Sequence, residues 1–266
     1  MADYSKYVDL TVDNVDRVAT VTLNRPDRLN AINHPGLHDE LENVMLDLAA
    51  DREVNAIVIT GAGRAFSAGG DIAAMQQRAN NPTLADLPTG YGRKLILNLL
   101  EVQQPVIAAV NGDAVGLGAT LALFCDVIIA SETARIGDPH VRVGLVAGDG
   151  GAIIWPALIG VAKAKQFLMT GELIPAPEAE RIGLVNKVVP ADEVLTAATD
   201  MARRLADGAT LAIRWTKFSV NKQLRHQMNL MLDTSLALES LTFLSKDHKE
   251  AVDAFMEKRK ANFEGL

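Results

Sequence analysis

The chain has 266 residues, of which 48% are hydrophobic and 22% charged, enough apolar material for one large core or a core with a helical appendage. Its formal net charge is −7, and no basic run is long enough to follow a phosphate backbone, so nucleic acid is excluded as the expected partner. The single cysteine, Cys125, excludes an internal disulfide and any cysteine metal cluster.

No run of about 18 apolar residues occurs, and the opening Met1-Ala-Asp-Tyr-Ser-Lys6 lacks an apolar leader. A cytoplasmic protein without membrane contact is the expectation. Val18–Leu23 alternates apolar and polar residues, which predicts an early strand with one wetter face. Asn24–Ala31 follows as a loop, with Pro26 stopping the strand pattern. Leu37–Ala50 sets Leu37, Leu41, Val44, Met45 and Leu48 at helical spacing. His34 and His38 lie four residues apart near its start, a spacing that metal ligands use. With no third ligand signalled, a solvated first turn is expected and no metal site.

Asn55–Thr60 is a buried-type strand that runs into Gly61-Ala-Gly-Arg-Ala-Phe-Ser-Ala-Gly-Gly-Asp71. A dinucleotide fingerprint would need a third glycine where Phe66 stands, so NAD is excluded. Asp71–Met75 opens a helix, Asn80–Tyr91 reads as an irregular polar flap, and Lys94–Val102 resumes helix. Gln104–Val110 is a continuous β-branched and small apolar run, expected to be buried on both faces. Gly112, Gly116 and Gly118 then punctuate the chain before an apolar helix from Ala119, which carries Cys125 as a small core residue. The unpaired amides of such a helix start can hold an oxygen that becomes anionic.

Asp126–Ala130 is a further strand and Ala134–His140 a loop. Gly144–Gly151 is glycine-rich, and Ala152–Ile159 and Ala162–Met169 are helical, the latter ended by Gly171. Pro177–Gly183 reads as a short helix and Leu184–Val189 as a strand. Pro190-Ala-Asp-Glu193 opens a stretch that is almost wholly helical to Leu266. The expected organisation is an α/β body over residues 1–190 and a helical region over 191–266.

Arg64-Ala-Phe-Ser-Ala-Gly-Gly-Asp-Ile72 and Pro105-Val-Ile-Ala-Ala-Val-Asn-Gly112 resemble the paired oxyanion-loop motifs of the crotonase (enoyl-CoA hydratase/isomerase) superfamily. The tail Phe255-Met-Glu-Lys-Arg-Lys-Ala-Asn-Phe263 resembles that family too. The resemblance covers essentially the whole chain. It implies a spiral of β-β-α turns, C-terminal helices that pack trimers or hexamers, and an acyl-CoA substrate, with CoA as part of the substrate and no separate cofactor.

By motif position, Ala68 and Leu117 are the residues whose amides would form the oxyanion hole. Leu117 stands where glycine is more usual. Arg28 and Leu29, in the segment resembling Arg-Pro-x-x-Leu-Asn-Ala, would line the pantetheine and phosphate path. Ala68, Gly70, Asp71 and Ile72 would flank the thioester and adenine, and Phe255 and Lys258 would reach the nucleotide. Leu84, Leu87 and Leu95 suggest an apolar acyl pocket.

Two positions depart from the family's hydratases. Thr120 and His140 stand where two glutamates would share the water of hydration, and a threonine hydroxyl is no general base at neutral pH. His140 can be an acid or base, with Asp149 beyond it to orient the ring or to cap the following helix. Thr120 is then a candidate for substrate contact or helix packing, and Asp113 and Asp138 read as loop-formers. The His140–Asp149 spacing, with Glu239, resembles oxocamphor hydrolase, a relative that cleaves a C–C bond without CoA. That enzyme's second histidine and its tryptophan fall here at Leu117 and Asn33. The expected activity is that of an acyl-CoA enzyme of the hydratase/isomerase kind, a lyase. The alternatives are C–C hydrolysis of a β-diketone or β-oxoacyl-CoA, and acyl-CoA binding without catalysis.

Overall fold

The computed structural model describes residues 2–80 and 92–265. A six-stranded sheet runs in the order β1 (Leu10–Val15), β2 (Val18–Leu23), β3 (Ala56–Gly61), β5 (Val106–Val110), β7 (Val127–Ser131), β10 (Lys187–Val189). Only β1 is antiparallel to its neighbour. Every residue of β3 and β5 is buried, as their unbroken apolar runs require. β1 was not anticipated from sequence. It is an edge strand with Leu10 as its one buried residue, so it carries little apolar signal.

A second sheet of four short strands runs in the order β4 (Ala65–Ser67), β6 (Asp113–Val115), β8 (Arg135–Gly137), β9 (Ile174–Pro175). It replaces the loops expected around Ala65–Ser67, Asp113–Val115 and Ala134–His140. Each long strand turns directly into a short one: β3 into β4, β5 into β6, β7 into β8. Helices then follow, α2 (Ile72–Asn80) and α3 (Arg93–Glu101), α4 (Leu117–Leu123), and α5 (Gly151–Ile159). The fold is therefore the α/β arrangement of β-β-α turns that the family resemblance implied. Helix α1 (Leu37–Ala50) spans the expected residues, whereas α6 (Val161–Thr170) and α7 (Ala176–Arg181) lie within one or two residues of theirs. Residues 81–91, including Leu84, Leu87 and most of the expected flap, lie outside the described residues.

The C-terminal helices pack back on this body. Helix α8 (Val194–Ala206) lays Val194, Ala198, Ala202 and Ala206 on one face of the large sheet, against Val18, Ala56, Val58, Ile107, Ala109 and Ile129. Small side chains at that helical spacing bring helix and sheet close together. Helix α9 (Thr210–Thr242) is long, and its second half buries Met228, Leu232, Leu236 and Glu239. Helix α10 (Lys246–Met256) docks on α2 and on a 3-10 turn, His140–Val143; His248 Nδ1 lies 2.7 Å from the Val143 carbonyl oxygen.

Two glycines let the β4 and β6 loops meet. A Cβ on Gly118 would lie 2.6 Å from Ser67 Cβ and 2.7 Å from the Ser67 carbonyl oxygen. Gly69, at φ +80°, passes so near β6 that a Cβ would collide with the Val115 carbonyl oxygen. Gly118→Ala is expected to force these loops apart and cost about 1–3 kcal/mol, as overpacking does. Urea unfolding measures it; an unchanged midpoint would contradict the close approach.

Candidate active site

Strands β4, β6 and β8 are neighbours and parallel, with Ser67 opposite Ala114 and Ala114 opposite Ile136. Their carboxyl ends therefore open on the same side, where ligands collect in parallel sheets. Three segments leave from there: Ala68–Asp71, Gly116–Leu117 and Asp138–His140.

The Ala68 amide, expected to polarise a substrate oxygen, donates instead to the Leu29 carbonyl at 2.9 Å. It is spent holding the loop, and that expectation is corrected. Two residues on, the Gly70 amide has no acceptor among the described residues, nor does that of Leu117, the first residue of α4. Gly70 and Leu117 line the same cavity. Leu29 serves through its carbonyl and lines neither cavity of the site.

His140 is buried and its Nδ1 is hydrogen-bonded to Asp138 Oδ1, which also accepts the His140 backbone N–H at 3.3 Å. Asp138 is thus the residue that orients the ring, a role the sequence assigned to Asp149; Asp138 is 1% exposed and no mere loop-former. The other ring nitrogen, Nε2, faces Asp149 Oδ2 at 3.6 Å and Glu239 Oε1 at 4.0 Å. Burial alone would lower the imidazole pKa, but the charges of Asp138 and Asp149 and the Asp138 hydrogen bond outweigh it and raise it well above the ordinary value. The surroundings therefore favour the charged, proton-donating form of the ring. Because its folded pKa is raised, the pair's contribution to stability is complete below the unfolded value of about 6.5 and fades as pH climbs through the folded one.

Thr120 is fully buried and lines neither cavity; its hydroxyl donates to Asp149 Oδ1 at 3.1 Å. Thr120, expected as a possible substrate contact, instead stands behind the cavity wall and orients a carboxylate. Gly150 occupies the N-cap position of α5, and the Asp149 carboxylate accepts the backbone N–H of Gly151, the first residue of that helix, so it ties down the helix start as well. Burial raises the Asp149 pKa, opposed by the His140 charge and the Thr120 hydroxyl.

An inner cavity of about 100 Å³ is lined by Gly70, Leu117, His140, Asp149, Glu239 and Phe243, and also by His34 and His38. His38 is buried rather than solvated, and its Nε2 accepts the Gly92 amide at 3.1 Å. Burial holds its pKa below the ordinary value, which suits an acceptor nitrogen. Leu95 sits in the main core instead of this cavity. An outer cavity of about 730 Å³ shares Gly70, Asp71, Met75 and His140 with the inner one and adds Arg28, Ala68, Ile72, Arg142 and Phe255. Lys258 is exposed and lines neither cavity. Sequence reasoning missed Asp138, whose burial carries its role, and it missed the availability of the Gly70 amide. Cys125 is a buried core residue as expected, its thiol pKa raised by burial.

Residues 13–266 match the model of the family described as enoyl-CoA hydratase/isomerase. The chain is 40% identical to a short-chain-enoyl-CoA hydratase of Clostridium acetobutylicum over 258 residues, covering 95% of this chain and 96% of that one. It is 38% identical to a crotonyl-CoA hydratase of Syntrophomonas wolfei over 259 residues, covering 97% and 98%. An enoyl-CoA hydratase/isomerase structure from Mycobacterium paratuberculosis superposes with a TM-score of 0.88 at 37% identity, covering 94% of this chain and 99% of that one.

Asp138→Asn tests the orienting pair. Without the carboxylate the imidazolium loses its main support, so the His140 pKa falls and any activity needing the charged ring drops about 10²-fold or more at neutral pH. The loss should shrink at acid pH, where the ring regains its proton. A pH–rate profile identical to wild type would contradict the assignment.

Proposed function

Because the chain belongs to the enoyl-CoA hydratase/isomerase family, we propose that it acts on an acyl-CoA thioester whose carbonyl oxygen is held by the amides of Gly70 and Leu117. The observation that carries this reading is the meeting of two unspent amides with the charged ring of His140 in one cavity. A thioester carbonyl gains negative charge when its β-carbon is attacked or its α-carbon loses a proton. Fixed donors stabilise that enolate, and each is worth on the order of 3 kcal/mol.

The reaction is hydration of a trans-2-enoyl-CoA. Asp149, the carboxylate that Thr120 orients, takes a proton from water as the oxygen adds to the β-carbon. His140, as imidazolium, gives its proton to the α-carbon of the enolate. One carboxylate and one imidazolium thus divide the work of the two family glutamates, whose positions Thr120 and His140 occupy. CoA enters as part of the substrate. Its pantetheine and phosphates lie in the outer cavity beside Ile72, Phe255 and the side chains of Arg28 and Arg142. No further cofactor takes part.

The 3.6 Å approach of His140 to Asp149 also supports a second reading, in which the pair directs water at the ketone of a β-oxoacyl thioester or β-diketone and a C–C bond breaks. A third role, acyl-CoA binding without catalysis, would keep the cavities and show no turnover. The exposed stripe Leu211, Trp215 and Phe218 on α9 supports assembly with further copies of the chain, as trimers or doubled trimers. The soluble, cytoplasmic assignment is part of the same proposal; among the described residues no helix is long and apolar enough to cross a membrane.

Turnover of trans-2-butenoyl-CoA, followed by loss of the conjugated-thioester absorbance and by product mass, tests the reading. Wild type should yield 3-hydroxybutanoyl-CoA, and His140→Ala should lose about 10²–10⁴-fold in rate. No hydration by wild type would retire the proposal in favour of C–C hydrolysis or binding alone.

A further inference from the structure

Glu239 reaches the inner cavity from the second half of α9, 9% exposed, and the hydration scheme above does not use it. Its surroundings differ from those of the other carboxylates. Asp138 receives the ring and backbone N–H groups of His140, and Asp149 receives the Thr120 hydroxyl. Among the described residues no hydrogen bond reaches the Glu239 carboxylate, whose Oε1 lies 4.0 Å from His140 Nε2; only its backbone carbonyl is engaged, by the Phe243 N–H and the Thr242 hydroxyl. Its Oε2 lies against Gly148, where a Cβ would stand only 2.6 Å away.

The charges facing it come from three sides. His140 and Asp138 belong to the segment after β8, and Asp149 to the loop before α5. On the flanking helices, Arg93 of α3 is paired with Asp233 at the surface, and His248 of α10 is turned to the Val143 carbonyl. His38, which lines the same cavity, accepts the Gly92 amide. One imidazolium therefore faces three carboxylates in a buried space. Like charges so placed cannot all ionise, and the proton settles where donors are fewest. Burial and the Asp149 charge push Glu239 up to about 8. A buried carboxylic O–H without a protein acceptor needs one from the ligand.

We propose that Glu239 stands as a neutral carboxylic acid on the wall of the acyl cavity and donates its O–H to an oxygen on the β-carbon of the acyl chain, so that the site favours β-oxygenated acyl-CoA thioesters. The inference rests on the acyl-CoA reading. With the thioester carbonyl at Gly70 and Leu117, a cavity of about 100 Å³ leaves few atoms between that carbonyl and Glu239. The oxygen that meets Glu239 is therefore close to the carbonyl, on the β-carbon.

Two measurements on the intact protein test this. Calorimetric binding of 3-oxobutanoyl-CoA and butanoyl-CoA, with ligand integrity checked by mass, should show wild type preferring the oxygenated ligand by about tenfold or more. Glu239→Leu should abolish the preference, and Glu239→Gln, which keeps a donor, should retain part of it. Equal affinities in wild type, or a preference that survives in Glu239→Leu, would overturn the proposal. Failure of both ligands to bind would overturn it together with the acyl-CoA reading. Infrared difference spectroscopy of the ligand-free protein separates the two cases. A protonated-carboxyl band at neutral pH, present in wild type and lost in Glu239→Gln, is expected. Its absence overturns the inference while leaving acyl-CoA chemistry standing.

Discussion

Asp138 binds His140 twice, through the ring nitrogen Nδ1 and through the backbone N–H, and both residues are buried at the carboxyl end of β8. With Nδ1 committed, Nε2 is the nitrogen turned to the cavity, toward Asp149 and Glu239. Removing an imidazolium from water is unfavourable, and an adjacent carboxylate with a direct hydrogen bond offsets that cost. The charge balance of the site follows. Burial raises the pKa of both further carboxylates: Asp149, where the His140 charge and the Thr120 hydroxyl oppose the shift, and Glu239, whose carboxylate no hydrogen-bond donor reaches among the described residues. The same loop ends place two free amides next to this array, so developing negative charge on a ligand meets donors that are already fixed.

The C-terminal helices help build this site. α9 supplies Glu239 and Phe243's neighbourhood at its end, and both residues line the inner cavity. α10 braces the turn that carries His140: His248 contacts the Val143 carbonyl, and Gly144 lies so close to the helix that a Cβ would stand 2.8 Å from the His248 backbone. On the opposite side of the molecule, α8 closes the second face of the large sheet with a row of alanines.

What the sequence revealed tracks how much signal each element carries. β3 and β5 carry runs of four and five apolar residues and are buried on both faces, and α1 repeats its apolar positions over nearly four turns, so both were legible. β4, β6 and β8 have three residues each, too short for alternation to register, and they form the sheet that aligns the segments lining the inner cavity. The oxyanion loop was recognisable as a motif, yet the choice between Ala68 and Gly70 depends on a fold-back to the Leu29 carbonyl that no residue type announces. Leu117 was named by its place in the paired motif, and the structure opens α4 there rather than at Ala119, where the apolar helical run was expected to begin. Asp138 resembled a turn residue, and only its burial against His140 reveals its role. His38 sat at a surface-like helix start, and its burial depends on packing by Gly92 and α3, far along the chain.

The protonation of His140 carries the account, and nuclear magnetic resonance of ¹⁵N-labelled histidine measures it directly in the ligand-free protein. The expected result is a doubly protonated ring through neutral pH that titrates well above about 6.5, with a strongly deshielded Nδ1 proton that disappears in Asp138→Asn. A ring that titrates at or below that value, or a spectrum unchanged by Asp138→Asn, would contradict the account and make His140 a neutral base without an orienting partner.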